Sequence, residues 1–134
     1  MQINPYLTFN GQCEAAFKFY ERCLGGKIDA LIPHAGTPAE EHTPPEWRNK
    51  ILHAHLTAGQ AVLMGSDDPN YQPPKGLSVS LQVKTPEDAE RIFAALSEKG
   101  TVRLPIQQTF FSPRFGMLTD QFGVPWMINC ELSA

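Results

Sequence analysis

Apolar and polar positions alternate over residues 2–9: Ile3, Leu7 and Phe9 fall on one side, Asn4, Tyr6 and Thr8 on the other. That is the period of a strand with one face buried. The period then lengthens. In "GQCEAAFKFYERCL" Cys13, Ala16, Phe17, Tyr20 and Leu24 recur at helical spacing, and Gly25-Gly26 close the helix, since glycine accepts the left-handed cap geometry. A strand over Lys27–Pro33 follows, then a proline-rich excursion from Ala35 to Trp47. Two more strands, Lys50–Ala58 and Gln60–Ser66, are joined by the short hairpin connection Ala58-Gly59.

"SDDPNYQPPKG" is rich in turn formers and reads as a linker over 67–75. Beyond it the pattern restarts with the strand "LSVSLQV" and the helix "TPEDAERIFAALSEKG". Thr85 is placed to cap that helix, Pro86 suits its first position, and Glu87 and Asp88 complement the dipole. Strands follow over Thr101–Leu104, Arg114–Asp120 and Val124–Leu132. The two helices align, Ala16 with Ala89, Tyr20 with Phe93 and Cys23 with Leu96. The chain therefore reads as a βαβββ unit used twice, about 1–66 and 76–134, within one domain. The expected class is α+β: two modules forming curved mixed sheets with helices on the outer face.

A helix over one face of each sheet leaves the other face open, and alternation says which residues lie there. His53, His55 and Thr57 of "HAHLT" fall on the open side, with Asn4, Tyr6 and Thr8 from the first strand. In the second module Leu77, Val79, Leu81 and Val83 point to the helix, leaving Ser78, Ser80 and Gln82 open. The last strand puts Val124, Trp126 and Ile128 inward, and Pro125, Met127 and Asn129 outward. A curved sheet would gather these polar residues into a cavity.

Composition narrows the function classes. The chain has 134 residues, 42% hydrophobic and 19% charged, which is ordinary for a folded domain. A net charge of −3 without a Lys/Arg run argues against nucleic acid or an acidic membrane as partner. No apolar run is long enough to span a bilayer, and "MQINPYLTF" has no signal-peptide character. Cys13, Cys23 and Cys130 are odd in number and lack a CxxC, so reduced thiols in the cytoplasm are expected. GxGxxG, P-loop, GxSxG and HExxH patterns are absent, and with them the glycine-rich turn that a nucleoside cofactor needs.

The duplicated βαβββ pattern, with "PYLTFNGQCEAAFKFY", "FYERCLGG", "HAHLTAGQAVLMGSD" and "RFGMLTDQFGVPWMINCE", resembles the vicinal-oxygen-chelate superfamily. This is the glyoxalase/bleomycin-resistance/extradiol-dioxygenase fold, and the likeness is to its PhnB-like branch. The resemblance spans the whole chain. It implies a homodimer, a small-molecule pocket on the concave face, and often a divalent metal held by His and Glu from four matching strand positions. Those positions here are Asn4, His55, Ser78 and Met127. Of these, only His55 is a good ligand for a first-row metal. The pattern thus departs from the usual centre, and no cofactor is expected, a divalent metal remaining the alternative. His53 and His55 could chelate with His34 or His42 from the long loop, or line a polar wall and donate hydrogen bonds. An imidazole there is also suited to acid/base work.

Other candidates are Arg114, suited to a carboxylate or phosphate, and Asn129 as an orienting group. Phe110, Phe111, Phe115 and Trp126 are read as core, with an aromatic pocket wall as the alternative. The pocket expected from sequence is thus Asn4, Tyr6, His53, His55, Ser78, Ser80, Gln82, Arg114, Met127 and Asn129, with His55 the best catalytic candidate. Two functions follow. One is a small-molecule-binding protein with an unassigned activity. The other is a metal-dependent lyase, isomerase or dioxygenase that uses His55 as ligand or acid/base.

Overall fold

The computed structural model describes residues 1–132. The chain forms two compact units, Met1–Gln72 and Pro73–Ala134. The first contains β1 (Tyr6–Phe9), α1 (Cys13–Leu24), β2 (Lys27–Pro33), β3 (Ile51–Ala58) and β4 (Ala61–Asp67). Its second half is matched by β5 (Val79–Val83), α2 (Pro86–Leu96), β6 (Thr101–Gln107), β7 (Phe115–Thr119) and β8 (Pro125–Cys130). Each unit has a four-stranded sheet, ordered β1-β4-β3-β2 in one and β5-β8-β7-β6 in the other. The first strand of each runs parallel to the last, and the remaining pairings are antiparallel. The fold is α+β, and both sheets are mixed.

The helices form for the reasons their sequences supply. Gly25 closes α1 at φ 68°, its N–H donating to the Glu21 carbonyl. The Thr85 hydroxyl accepts from the Asp88 N–H at the start of α2. The aligned pairs are buried alike: Ala16 with Ala89, Tyr20 with Phe93, Cys23 with Leu96. Phe9, Phe17 and Tyr20 pack edge to face under α1, with ring centroids 6.2 and 5.9 Å apart for the pairs with Phe17. The repeat reaches into the backbone as well. A Cβ on Gly26 would lie 2.7 Å from the Thr57 carbonyl, and one on Gly100 2.5 Å from that of Thr119. Only glycine admits so close an approach, at the same point of both modules.

Two buried carboxylates tie loops to strands. Asp67 accepts the N–H groups of Cys13 and Ile51, both at 2.9 Å. Asp120 accepts those of Phe122 and Val124 and the indole N–H of Trp126. Buried and fully bonded, these groups fix chain path.

Several element boundaries differ from the alternation. The strand expected over 2–9 starts only at Tyr6, and Ile3, expected inward, is 94% exposed. Pro5 has no N–H to give the ladder, so pairing to β4 stops there. Leu77, also expected inward, is exposed, because β5 begins at Val79 opposite Trp126. One step earlier the partner strand offers Pro125, which again lacks a donor. By contrast β6 runs on past Pro105 to Gln107, because it is an edge strand. Phe115 and Trp126 are core, but Phe110 is 97% and Phe111 43% exposed. Those two precede β7 in the loop after β6, where Phe111 packs edge to face against both Phe110 and Phe115.

Candidate functional site

On the open face of the first unit, β3 presents His53, His55 and Thr57, all half-buried, while Ala54 and Leu56 are buried behind them. Met64 of β4 is the register partner of both Tyr6 and His55, so these three side chains form a row across the sheet. At its β1 end the Tyr6 ring stacks on His53, centroids 6.0 Å apart and planes at 26°, with Tyr6 Oη 3.4 Å from His53 Nδ1.

The far end of the row holds a residue that alternation did not select. β2 slips register between Ile28, opposite Leu56, and Ala30, opposite His55. The residue left between them, Asp29, is bulged out of the ladder. Its Oδ2 accepts hydrogen bonds from the Thr57 hydroxyl and from His55 Nδ1, the latter at 3.1 Å. The Thr57 bond, then the His55 bond, hold the Asp29 carboxyl below the usual carboxylate range. Facing an ionised carboxylate, Nδ1 of His55 is the donor, so that in the neutral ring Nε2 is the acceptor.

The second unit repeats this plan with other chemistry. Met127 is partnered by Ser80 and Met117, as Met64 is by Tyr6 and His55. β6 slips between Val102, opposite Leu118, and Leu104, opposite Met117. The bulged residue is Arg103. A cavity of about 550 Å³ lies here, lined by Pro74, Leu77, Ser78, Arg103, Thr119 and Met127 among others. Ser80 and Gln82 are exposed on β5, and Gln82 Oε1 accepts from Asn129 Nδ2 at 3.3 Å. The Asn129 side-chain Oδ1 is buried with no partner among the described residues.

Of the residues expected from sequence, Tyr6, His53 and His55 come together on one sheet, and Ser80, Gln82, Met127 and Asn129 on the other, with Ser78 just before β5. Asn4 lies ahead of β1 and bonds Gln2. Arg114 is engaged elsewhere: its Nε donates to Glu90 of α2 at 3.0 Å and its Nη1 to the Pro113 carbonyl. That ties it to the helix rather than to the open face. His34 turns its Nδ1 to the Lys50 carbonyl, and His42 lies exposed in a short 3₁₀ turn, Pro38–His42. Among the described residues, no three of His, Cys, Asp and Glu come together as metal donors. The register does not make the four expected positions equivalent, since Met127 corresponds to Met64 and His55 to Met117. Asn4, His55, Ser78 and Met127 supply an amide, one imidazole, a hydroxyl and a thioether, a donor set that does not fit a His/Glu divalent centre.

Asp29 and Arg103 are the residues that alternation missed. A signal existed: laying Gly26 over Gly100, which takes a one-residue gap after the aligned helices, puts "GKID" over "GTVR" and brings these two into one column.

Comparison with known proteins gives the same picture. The Glyoxalase/Bleomycin resistance protein/Dioxygenase superfamily matches residues 2–128. Protein YjdN of Escherichia coli is 32% identical over 96% of this chain and 95% of its own. The crystal structure of protein PA1353 from Pseudomonas aeruginosa is 46% identical, covers 99% of both chains and superposes with a TM-score of 0.89. A PhnB protein from Bacillus cereus, 24% identical over 97% of this chain and 99% of its own, shares the fold at a TM-score of 0.80. A family match over nearly the whole chain meets two βαβββ units built to one plan, and the chain belongs to the Glyoxalase/Bleomycin resistance protein/Dioxygenase superfamily.

Proposed function

We propose that this chain is a small-molecule-binding protein, PhnB-like in kind, whose ligand lies on the open sheet faces. One observation carries the reading: the Thr57–Asp29–His55 array on the first sheet. A solvent-facing histidine whose tautomer is fixed by an ionised carboxylate is arranged to accept a proton or hydrogen bond at Nε2. Asp29 would then stabilise the imidazolium that forms. The Tyr6 hydroxyl and His53 supply further hydrogen-bonding groups on the same wall. Ser78, Ser80, Gln82, Met127 and Asn129 form the corresponding wall of the second module. Any activity of the chain would use His55 as acid/base, with no step through a metal.

A fragment library screened by ligand-observed NMR tests this. Polar fragments are expected to bind wild type, and His55→Gln to weaken them by about tenfold, the loss of one well-placed hydrogen bond to a polarised group. Equal binding to wild type and His55→Gln would overturn the role given to His55.

The working form in this reading is a cytoplasmic homodimer. Three cysteines buried as free thiols fit a reducing compartment. Each four-stranded sheet also has two edge strands that a second copy could cover.

A further inference from the structure

We propose that the cavity at Arg103 binds the oxyanionic group, a carboxylate or a phosphate, of a small organic molecule. The inference rests on the reading that the open face of the second module is a binding surface, and it adds the class of ligand.

The argument starts from the two bulges. In the first module the bulged residue is an acid, and the side chains beside it satisfy it: Thr57 donates a hydroxyl and His55 a ring N–H. In the second module the strand opposite carries Thr119 where the first has Thr57, and Met117 where the first has His55. A thioether is a weak acceptor and neither side chain carries negative charge, so the guanidinium of Arg103 meets no counterion from that strand. Among the described residues that line the cavity, Arg103 is the only charged one.

What surrounds it suits an anion with an organic body. A guanidinium presents its N–H groups as a fork that matches two oxygens of a carboxylate or phosphate. Ser78 and Thr119 add hydroxyl donors, while Pro74, Leu77, Pro125 and Met127 give apolar walls. Gly76 and Gly123 also line the cavity, at φ 70° and 90°, a backbone conformation that favours glycine. A volume of about 550 Å³ holds a molecule larger than a bare ion, within the range of about 300–1,000 Å³ typical of small-molecule pockets.

The test is a titration of the full-length chain at constant ionic strength with inorganic phosphate, benzoate and neutral benzamide, followed by ¹H–¹⁵N spectra that include the arginine Nε–H. Arg103 is exposed on an edge strand, so Arg103→Gln and Arg103→Lys should fold, which their backbone spectra would verify. Saturable shifts are expected at Arg103, Gly76, Ser78 and Gly123 with at least one of the anions. Arg103→Gln should weaken that binding by about tenfold or more, and Arg103→Lys should restore it only in part, because an ammonium lacks the fork. A preference for phosphate over benzoate, or the reverse, identifies which oxyanion the site takes. Shifts that never saturate, or that persist in Arg103→Gln, would overturn the proposal. Benzamide binding there as well as benzoate, with no dependence on Arg103, would overturn the anion while leaving the binding face. Silence of both sheets toward every probe would overturn both readings.

Discussion

At the scale of single residues, the Asp29 carboxylate receives two hydrogen bonds from β3 at one oxygen, and so couples the state of His55 to that of an acid. Asp29→Asn is expected to abolish the preference for the Nδ1–H tautomer of His55, read from its ¹⁵N ring shifts, while leaving the fold intact. An unchanged tautomer would mean that the carboxylate does not set it. The same pair has a pH signature. Because folding lowers the Asp29 pKa, its contribution to stability is present above the ordinary carboxylate value and is lost as pH falls through the lowered one. Denaturant titrations below about pH 4 should therefore show wild type losing its advantage over Asp29→Asn, whereas at neutral pH the advantage is intact. Neither Asp29 nor Arg103 was legible by alternation, because a bulge depends on how two strands pair, and pairing leaves no period in one strand. His55 and Thr57 were legible because β3 keeps an unbroken register with β4 between Ala54 and Ala58, and His53 because it lies one pleat before His55 on the same face.

At the scale of elements, the helices were legible to their caps, since a glycine stop and a threonine start act through local geometry. Strand ends were less so, and prolines account for the difference: Pro5 and Pro125 end pairings that alternation would extend, whereas Pro105 is passed over on an edge. Arg114 shows another limit. Its residue type suits an anion, but Glu90 of α2, 24 positions away in sequence, takes it. Helix α2 sits so close on β7 that a Cβ at Gly116 would fall 2.5 Å from the Phe93 ring and 3.0 Å from the Ile106 Cα. Gly116→Ala is accordingly expected to cost about 1–3 kcal/mol, the usual penalty for overpacking. Thermal or urea unfolding measures it, and a change below 0.5 kcal/mol, about the scatter among surface substitutions, would show that the helix yields.

At the scale of the whole molecule, the duplication was the most legible property of the chain, because it is written redundantly in two helices, two glycine turns and two sets of strands. The residues expected at metal positions from the resemblance, Asn4, Ser78 and Met127, are poor donors for a first-row divalent ion. Elemental analysis of untagged wild type and His55→Ala, run with light scattering, addresses metal and assembly together. The expected result is a dimer in both, without stoichiometric metal. Near-stoichiometric zinc, nickel, manganese or iron that disappears in His55→Ala would restore the lyase, isomerase or dioxygenase reading.

The parallel pairing of first strand to last has a consequence for synthesis. Tyr6 finds its partner at Met64, so the first sheet cannot close until β4 has been made. In the meantime α1, β2 and β3 must wait with Phe17 and Leu56 uncovered. Long loops of this kind are slow to shut, since their entropy is spent before any distant contact rewards it. The second module repeats the delay from Val79 to Trp126. A nascent chain would thus pass through two separate intervals of exposed apolar surface, the first able to end before most of the second module has left the ribosome.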